Sequence, residues 1–473
     1  MHEVNLLVKI YSRGNIMQIV KRIPILLASC LIALTASAQD IKTPGAAARA
    51  VPDTPPAGIV SRRGTVVAPL SDTAPAGYAH TNYKIFIPAD HPGPFTEPED
   101  TYAEYPASIG CVYNVSTVYA GCVPANNGYH PTGGWGAIAL VDAFHDSHAS
   151  SDLTYFSSFF GLPKAHFTLI KANSSYGTLE GLTASCSGTP PSASANGWDL
   201  EESLDIEWAH VMAPNAEILL VEACSNSYND LLYAEVVAGI EVSSYGGGDI
   251  SNSWGGGESS AQLGSSGYDN FFYRYYWQNI TYFASAGDSG GEVIYPSSNP
   301  WVVSAGGTTI NRDANQNFLS ESCWSGSGGG PSTIETWASP PGIFEGMGPW
   351  TNYQWEVLGY SNRTTPDMSF DADPASGVWV YDTDSGGTWY VVGGTSVSSP
   401  SLAGLVNSAQ NKAGQGIYYY GTQENTLIYS QLELGKAYPT NFYDVTTGSN
   451  GYTAGAGYDE CTGIGSPRGK SGK

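Results

Sequence analysis

The string Gly393-Gly394-Thr395-Ser396-Val397-Ser398-Ser399-Pro400 carries the clearest chemical signal in this chain. A Gly-rich turn delivers Ser396 to the start of a helix predicted from Ser396 to about Gln410. Free backbone N–H groups and the positive dipole end at such a place favour a developing oxyanion beside a nucleophilic hydroxyl. Pro400 falls within the first turn or so, where a missing N–H costs little. Taken alone, the string reads equally well as a helix cap with a Gly-rich approach. A serine nucleophile needs a base, and the usual base is histidine. The candidates are His2, His80, His91, His130, His145, His148, His166 and His210, and none has a His-Gly-Thr setting. His145 and His148 fall in the loop Phe144-His-Asp-Ser-His148, read as a solvated turn, so the base is expected not to be a histidine.

Carboxyls supply the alternative. In Trp198-Asp-Leu-Glu201-Glu-Ser-Leu-Asp205-Ile-Glu-Trp208, a helical segment, Glu201 and Asp205 stand at i and i+4 on one face. Like charges there repel unless they share a proton, and such sharing tunes one carboxyl to act as a base in acid. The competing reading is an acidic solvent face, because Glu202 and Glu207 sit nearby. A third acid, Asp288, lies in Tyr282-Phe-Ala-Ser-Ala-Gly287-Asp288-Ser-Gly-Gly291, after a strand and inside a tight turn. Protonated at low pH, its O–H can donate to a tetrahedral oxyanion. As an ordinary turn residue it bonds its own backbone instead.

The elements that must hold these groups follow from the apolar pattern. Short runs at Ala137–Asp142, Ala216–Glu222, Ile250–Trp254, Ile280–Ala284 and Trp301–Ser304 read as buried strands. Helix-like segments lie at Ser151–Phe160, Asp199–Met212, Asn229–Val242 and Gly264–Trp277. This alternation implies an α/β fold, a doubly wound and mostly parallel sheet with helices on both faces and active groups at the carboxyl ends of the strands.

These strings, in this order, are similar to the sedolisin family of serine-carboxyl peptidases. The resemblance runs from about Ile109 to Pro467. It rests on the Ser396 motif, the Glu201/Asp205 helix and the Asp288 turn. Supporting strings are Ser251-Asn-Ser-Trp-Gly255, Tyr295-Pro-Ser-Ser-Asn-Pro300, Ala305-Gly-Gly-Thr-Thr309 and Pro366-Asp367. The resemblance implies a subtilisin-like fold and an acyl-transfer mechanism with Ser396 as nucleophile, Glu201 as base, Asp205 tuning it, and Asp288 at the oxyanion. In some relatives an acid placed like Asp142 extends the carboxyl network behind the Glu/Asp pair, which makes Asp142 a supporting candidate. Ser253, Trp254 and Gly255 offer an edge strand for an extended peptide.

The string Tyr443–Asp459 supplies two carboxylates and Gly-flexed carbonyls, which suit a hard cation with oxygen ligands, although not in an EF-hand pattern. It resembles the sedolisin calcium loop, implying one calcium ion held by Asp444 and Asp459 side chains, the carbonyls of Val445, Gly455 and Gly457, and a water. Family members carry a large inhibitory pro-domain, whereas here only a short segment from Gln39 precedes the matching region, which implies a separate chaperone or another activation route.

Charge and composition set the context. Lys+Arg 19 against Asp+Glu 43 give a net charge of -24, which argues against a nucleic-acid partner and suits an acidic medium. Gly 57, Pro 29 and only 13% charged residues describe a loop-rich globular protein. Met17 opens a stretch with Lys21, Arg22, an apolar run Ile23–Ala36 and Ala36-Ser37-Ala38, read as a signal peptide ending before Gln39. A lipobox reading at Leu27-Ala28-Ser29-Cys30 leaves too short an apolar run before it. The division is therefore a signal over 1–38, a linker or short leader over 39–80, and a peptidase domain over 81–473. Cys111, Cys122, Cys186, Cys224, Cys323 and Cys461 are even in number and suit up to three disulfides, with the short Cys111–Cys122 loop the easiest bridge to assign. The expected protein is a secreted monomer acting on polypeptides, with no membrane span and no nucleic acid. An exopeptidase, or a silent binding protein on the same fold, is the alternative; buried carboxyls have no reason to persist in the latter.

Overall fold

The computed structural model describes residues 58–263, 267–272, 279–336, 353–384, 386–409, 421–433 and 438–473. The expected signal, Cys30 and the first part of the leader lie outside the described residues.

The apolar runs form an eight-stranded sheet. From one edge the order is Phe318–Cys323, Val302–Arg312, Ile280–Ser285, Gly248–Asn252, Ala137–Ala143, Glu217–Ala223 and His166–Ala172, with Met368–Asp371 also paired to Val302–Arg312. Every pairing is parallel except that of the Phe318–Cys323 edge. Such strands are buried on both faces, and their side chains alternate accordingly. Ile138, Leu140, Ile218 and Leu220 enter one core with Leu153, Leu204, Leu402 and Val406 of the helices Ala149–Phe160, Asp199–Met212 and Thr395–Ala409. Ala139, Val141, Leu219 and Val221 enter the other core with Leu231 and Val237 of the helix Tyr228–Ser244. The sheet is therefore doubly wound with helices on both faces, as the alternation of elements implies. Strand order reverses between Ala137–Ala143 and Gly248–Asn252, and a crevice at the carboxyl ends beside such a reversal is where α/β proteins bind ligands.

Two strands differ from expectation. The run Ile250–Trp254 divides at Ser253, because Trp254–Gly257 leaves the main sheet to pair with Ile294–Tyr295 and His80–Thr81. The run at Trp301–Ser304 extends as Val302–Arg312, since Phe318–Cys323 and Met368–Asp371 give its far end partners. The expected helix Gly264–Trp277 falls partly outside the described residues, which retain only the short turn Tyr268–Phe271 there. The described end of the leader is built into the fold: Gly64–Val67 pairs with Lys84–Pro88, which in turn pairs with Thr388–Gly393. Disulfides join Cys111 to Cys122, Cys186 to Cys224 and Cys323 to Cys461. Among the described residues no helix is long and apolar enough to cross a membrane.

Candidate active site

Asp199–Met212 forms the expected helix, with Asp199, Glu201 and Glu202 in the first turn where the helix dipole favours negative charge. A solvent face it is not. Glu201, Glu202, Asp205 and Glu207 are all 0% exposed, because the helix lies between the sheet and the Thr395–Ala409 and Ala149–Phe160 helices. Ionised carboxylates at such density cost far more than the fold can bear, so protons must be retained. Burial, and next the charge of Asp142, hold Glu201 well above the usual carboxyl range. Burial, Asp142 and Glu201 together do the same to Asp205.

Ser396 enters the second residue of the helix Thr395–Ala409, after the turn Gly393-Gly394. Its Oγ donates to Glu201 Oε2 at 2.9 Å, and also lies 3.2 Å from the carbonyl of Ser253. That bond favours ionised Glu201 and so opposes burial. Asp205 Oδ1 accepts from Ser253 Oγ at 2.7 Å. The remaining oxygens, Glu201 Oε1 and Asp205 Oδ2, have no partner among the described residues. With no donor in reach, these oxygens are where retained protons would reside.

Asp288 stands after the strand Ile280–Ser285, opposite the same helix start. Its Oδ1 accepts from the Thr395 N–H at 2.7 Å and the Thr395 hydroxyl at 2.9 Å. Oδ2 is buried and accepts nothing, which leaves it as the place for a proton. Burial pushes Asp288 up to about 7, while nearby Lys84 and the Thr395 donors pull the other way. Gly394 makes the approach possible: its φ is +105°, and a Cβ there would lie 2.5 Å from Asp288 Oδ2.

Asp142, next to last in the strand Ala137–Ala143, has both oxygens buried and without a hydrogen-bond partner, and burial pushes it up to about 7. It repels Glu201, Asp205 and Glu202. Trp254 is fully buried and donates from Nε1 to the Val141 carbonyl at 2.8 Å, which fixes the strand that precedes Asp142. Gly255 and Trp254 are not open edge positions, since His80 and Thr81 are paired with them. The Ser396 N–H donates to the Asn82 carbonyl at 3.0 Å, so this segment crosses the site.

Thr395, Asn82, Glu202 and Glu222 belong to the site and are absent from the expected set. Thr395 lay inside the Ser396 motif, where its role as a clamp on Asp288 had a visible signal in its position beside the nucleophile. Asn82 sits just past the stretch 39–80 read as a linker, and Glu222 is a strand residue whose nearness to Glu202 only the packing of the helix Asp199–Met212 against the sheet reveals. The loop Phe144–His148 is likewise no solvated turn: Asp146 is buried, and His145 Nδ1 lies 2.7 Å from Glu222 Oε1.

In the C-terminal loop, Asp444 accepts from the Gly457 N–H at 3.0 Å and from the Tyr438 hydroxyl at 3.1 Å. Asp459 Oδ2 accepts from the Gly455 N–H at 2.9 Å and Oδ1 from the Cys461 N–H at 2.9 Å. Burial first, and then the charges of both aspartates, raise the Tyr438 hydroxyl, so the two carboxyls share one neighbourhood. Burial pushes Asp459 up to about 6. A second group, Asp146, His148 and Asp384, brings one ligand atom each within 4.8 Å of one another, but His148 Nδ1 is already 2.7 Å from Asp384 Oδ1.

No family model matches the chain. Kumamolisin of Bacillus sp. (strain MN-32) is 33% identical over 309 residues, covering 59% of this chain and 51% of kumamolisin. Sedolisin of Pseudomonas sp. (strain 101) is 28% identical over 239 residues, covering 46% of this chain and 38% of that protein. The chain thus spans about half the length of kumamolisin and less of sedolisin. Among solved structures, Pseudomonas sedolisin, a serine-carboxyl proteinase complexed with two molecules of pseudo-iodotyrostatin, superposes with a TM-score of 0.59 and 23% identity. That superposition covers 78% of this chain and 96% of the other, and it shows a shared fold. In sequence the chain is thus similar to two serine-carboxyl peptidases of this kind, kumamolisin and sedolisin, and it shares the fold of Pseudomonas sedolisin.

Proposed function

We propose that this chain is an acid-acting serine-carboxyl endopeptidase that hydrolyses polypeptides through an acyl-enzyme on Ser396. The observation that carries the reading is the 2.9 Å bond from Ser396 Oγ to Glu201 Oε2 at the start of a helix. Glu201 takes the hydroxyl proton as general base, and Asp205 and Asp142 receive and tune the charge behind it. Asp288, protonated on Oδ2, and the Ser396 N–H stabilise the oxyanion. Glu201 then gives its proton to the leaving amine, and water hydrolyses the ester. Ser253, Trp254 and Gly255 would hold the substrate as an added strand once His80 and Thr81, which pair there, give way. An endopeptidase is favoured over an exopeptidase because the segment crossing the site continues in both directions from it.

The loop Asp444–Asp459 fits a calcium ion in its donor chemistry: two carboxylates, that of Asp459 buried, share one neighbourhood. Asp444, Asp459 and the carbonyls of Val445, Gly455 and Gly457 would hold it. The ion supplies charge balance and cross-bracing, not chemistry. Three disulfides support an oxidising, extracellular setting.

The test is a pH–activity profile on a denatured protein, for the parent and for Ser396→Ala. The expected parent profile peaks below pH 7, where Asp288 keeps its proton and Glu201 still accepts one, and Ser396→Ala loses at least about 1000-fold. A Ser396→Ala variant that turns over like the parent, or a peak above pH 7, would sink the reading.

A further inference from the structure

The loop Phe144–His148 connects the strand Ala137–Ala143 to the helix Ala149–Phe160, and the mechanism above uses none of its side chains. Asp146, His148 and Asp384 each offer one ligand atom here, and no two of those atoms lie more than 4.8 Å apart. Asp384 comes from the turn after the strand Val378–Asp382, far along the chain. Its neighbour Thr383 is fixed to the helix, because Asp152 Oδ2 accepts the Thr383 N–H at 2.8 Å and Oδ1 accepts its hydroxyl at 2.6 Å. Asp146 is fixed from the other side. It is 1% exposed, its N–H donates to Glu202 Oε2 at 3.2 Å, and its Oδ1 accepts from the His148 N–H at 2.7 Å. Asp146 Oδ2 is buried and has no hydrogen-bond partner. A buried oxygen without a donor, in a carboxyl that faces an imidazole and a second carboxyl, is what a bound cation would satisfy.

The surroundings are short of positive charge. Asp152, Asp384 and Asp199 all act on Asp146 through their charges. Among the described residues no Lys or Arg forms an ion pair with Asp146, Asp152 or Asp384. His148 Nδ1 and Asp384 Oδ1 are 2.7 Å apart. Ligands of a tetrahedral ion, each at about 2.0–2.1 Å from it, stand about 3.3 Å from one another, so this edge must open by about 0.6 Å. Both side chains are part-exposed and free to make that adjustment, while the buried Asp146 stays where it is.

We propose that Asp146, His148 and Asp384 bind one divalent transition-metal ion of the zinc class, which braces the loop after Asp142 against the hairpin that leads to Ser396. One imidazole with two carboxylates suits such an ion, whereas calcium prefers six to eight oxygens. Water completes the coordination from the exposed side. The hairpin is Val378–Asp382 paired with Thr388–Gly393, and the second strand runs directly into the turn before Ser396. The ion takes no step in the hydrolysis; it balances charge and joins two segments remote in sequence.

The full-length Ser396→Ala chain is stripped with EDTA and returned to excess calcium, so that the Asp444–Asp459 loop does not compete for zinc. It is then titrated with zinc chloride by calorimetry at about pH 7.5, where free imidazole is neutral. The expected result is one zinc ion per chain and a Tm raised by at least about 2 °C at a hundred times Kd. His148→Ala and Asp384→Asn should each weaken binding at least about tenfold. His166→Ala, at an exposed position of the edge strand, should bind zinc as the parent does. Zinc should also slow amide exchange at Thr383 and Asp384 at least about tenfold in the parent and not in His148→Ala. No zinc bound in the presence of calcium would leave His148 and Asp384 an ion pair only and overturn the assignment. Binding that survives both His148→Ala and Asp384→Asn unweakened, or that is lost in His166→Ala, would overturn it too. Binding at these residues without slower exchange at Thr383 and Asp384 would overturn the bracing role.

Discussion

Asp142 presents two buried oxygens with no donor, and its charge is second only to burial in raising Glu201. Removing that charge while keeping the shape should let Glu201 lose its proton at lower pH. Asp142→Asn is therefore expected to move the acid limb of kcat/KM against pH downward by about one pH unit, with the alkaline limb, set by Asp288, unmoved. An acid limb that stays in place would show that Asp142 does not tune the base. Among single residues the sequence was most legible where a turn or helix spacing constrained the chemistry: Ser396, Glu201, Asp205 and Asp288 converge on one site. Burial was not legible. The acidic run Glu201–Glu207 has the composition of a solvated face, and only the helices packed around it make it a core. Asn82 gave no signal at all, because what matters there is its backbone, placed by pairing with a strand that lies far along the chain.

At the scale of elements, the strands and helices that carry the site could be read from apolar period and Gly or Asp boundaries, and Asp199–Met212 falls where expected. What periodicity misses is partner choice. Trp254–Gly257 departs from the main sheet and Gly64–Val67 joins one despite a loop-like composition, since each answers to strands remote in sequence. The loop Asp444–Asp459 shows the same limit: two carboxylates and several glycines suggest a cation, but the loop is tied to the body by the Cys323–Cys461 disulfide next to Asp459. A cation bound there stabilises only the native state, where the two carboxyls meet. Adding EDTA is expected to lower Tm by about 2–5 °C, restored by excess calcium. In Asp444→Asn/Asp459→Asn the Tm should be lowered already and insensitive to both additions. A double variant that still responds to calcium would move the ion elsewhere, and the Asp146, His148 and Asp384 group is then the next place to look.

Over the whole molecule, the acidic excess is not confined to the surface. Glu201, Glu202, Asp205, Glu207 and Asp249 are buried and held well above the usual carboxyl range. Asp142 and Asp288 are pushed up to about 7, Glu235 and Glu424 to about 8 and Glu222 to about 9, burial being the largest cause for each. A carboxyl whose native pKa exceeds its unfolded value binds more protons in the native state between the two, so stability falls as pH rises through that interval. The contribution is complete below about pH 4, where the unfolded carboxyls are also protonated, and is lost progressively up to pH 7–9. Some bases run the other way: burial lowers His210 to about 4 and Lys473 to about 7, and it also lowers His145 and Lys470, so each favours folding as pH rises towards its unfolded value. They are outnumbered by the carboxyls. The fold is thus expected to be most stable in acid, in the same range in which Asp288 keeps its proton. Thermal unfolding of Ser396→Ala, chosen so that self-digestion does not intrude, should give a Tm at pH 5 higher than at pH 8 by at least about 5 °C. A Tm that is flat or rises across that interval would mean that these carboxyls are ionised in the native state, and with them the case for proton sharing around Glu201 would fail.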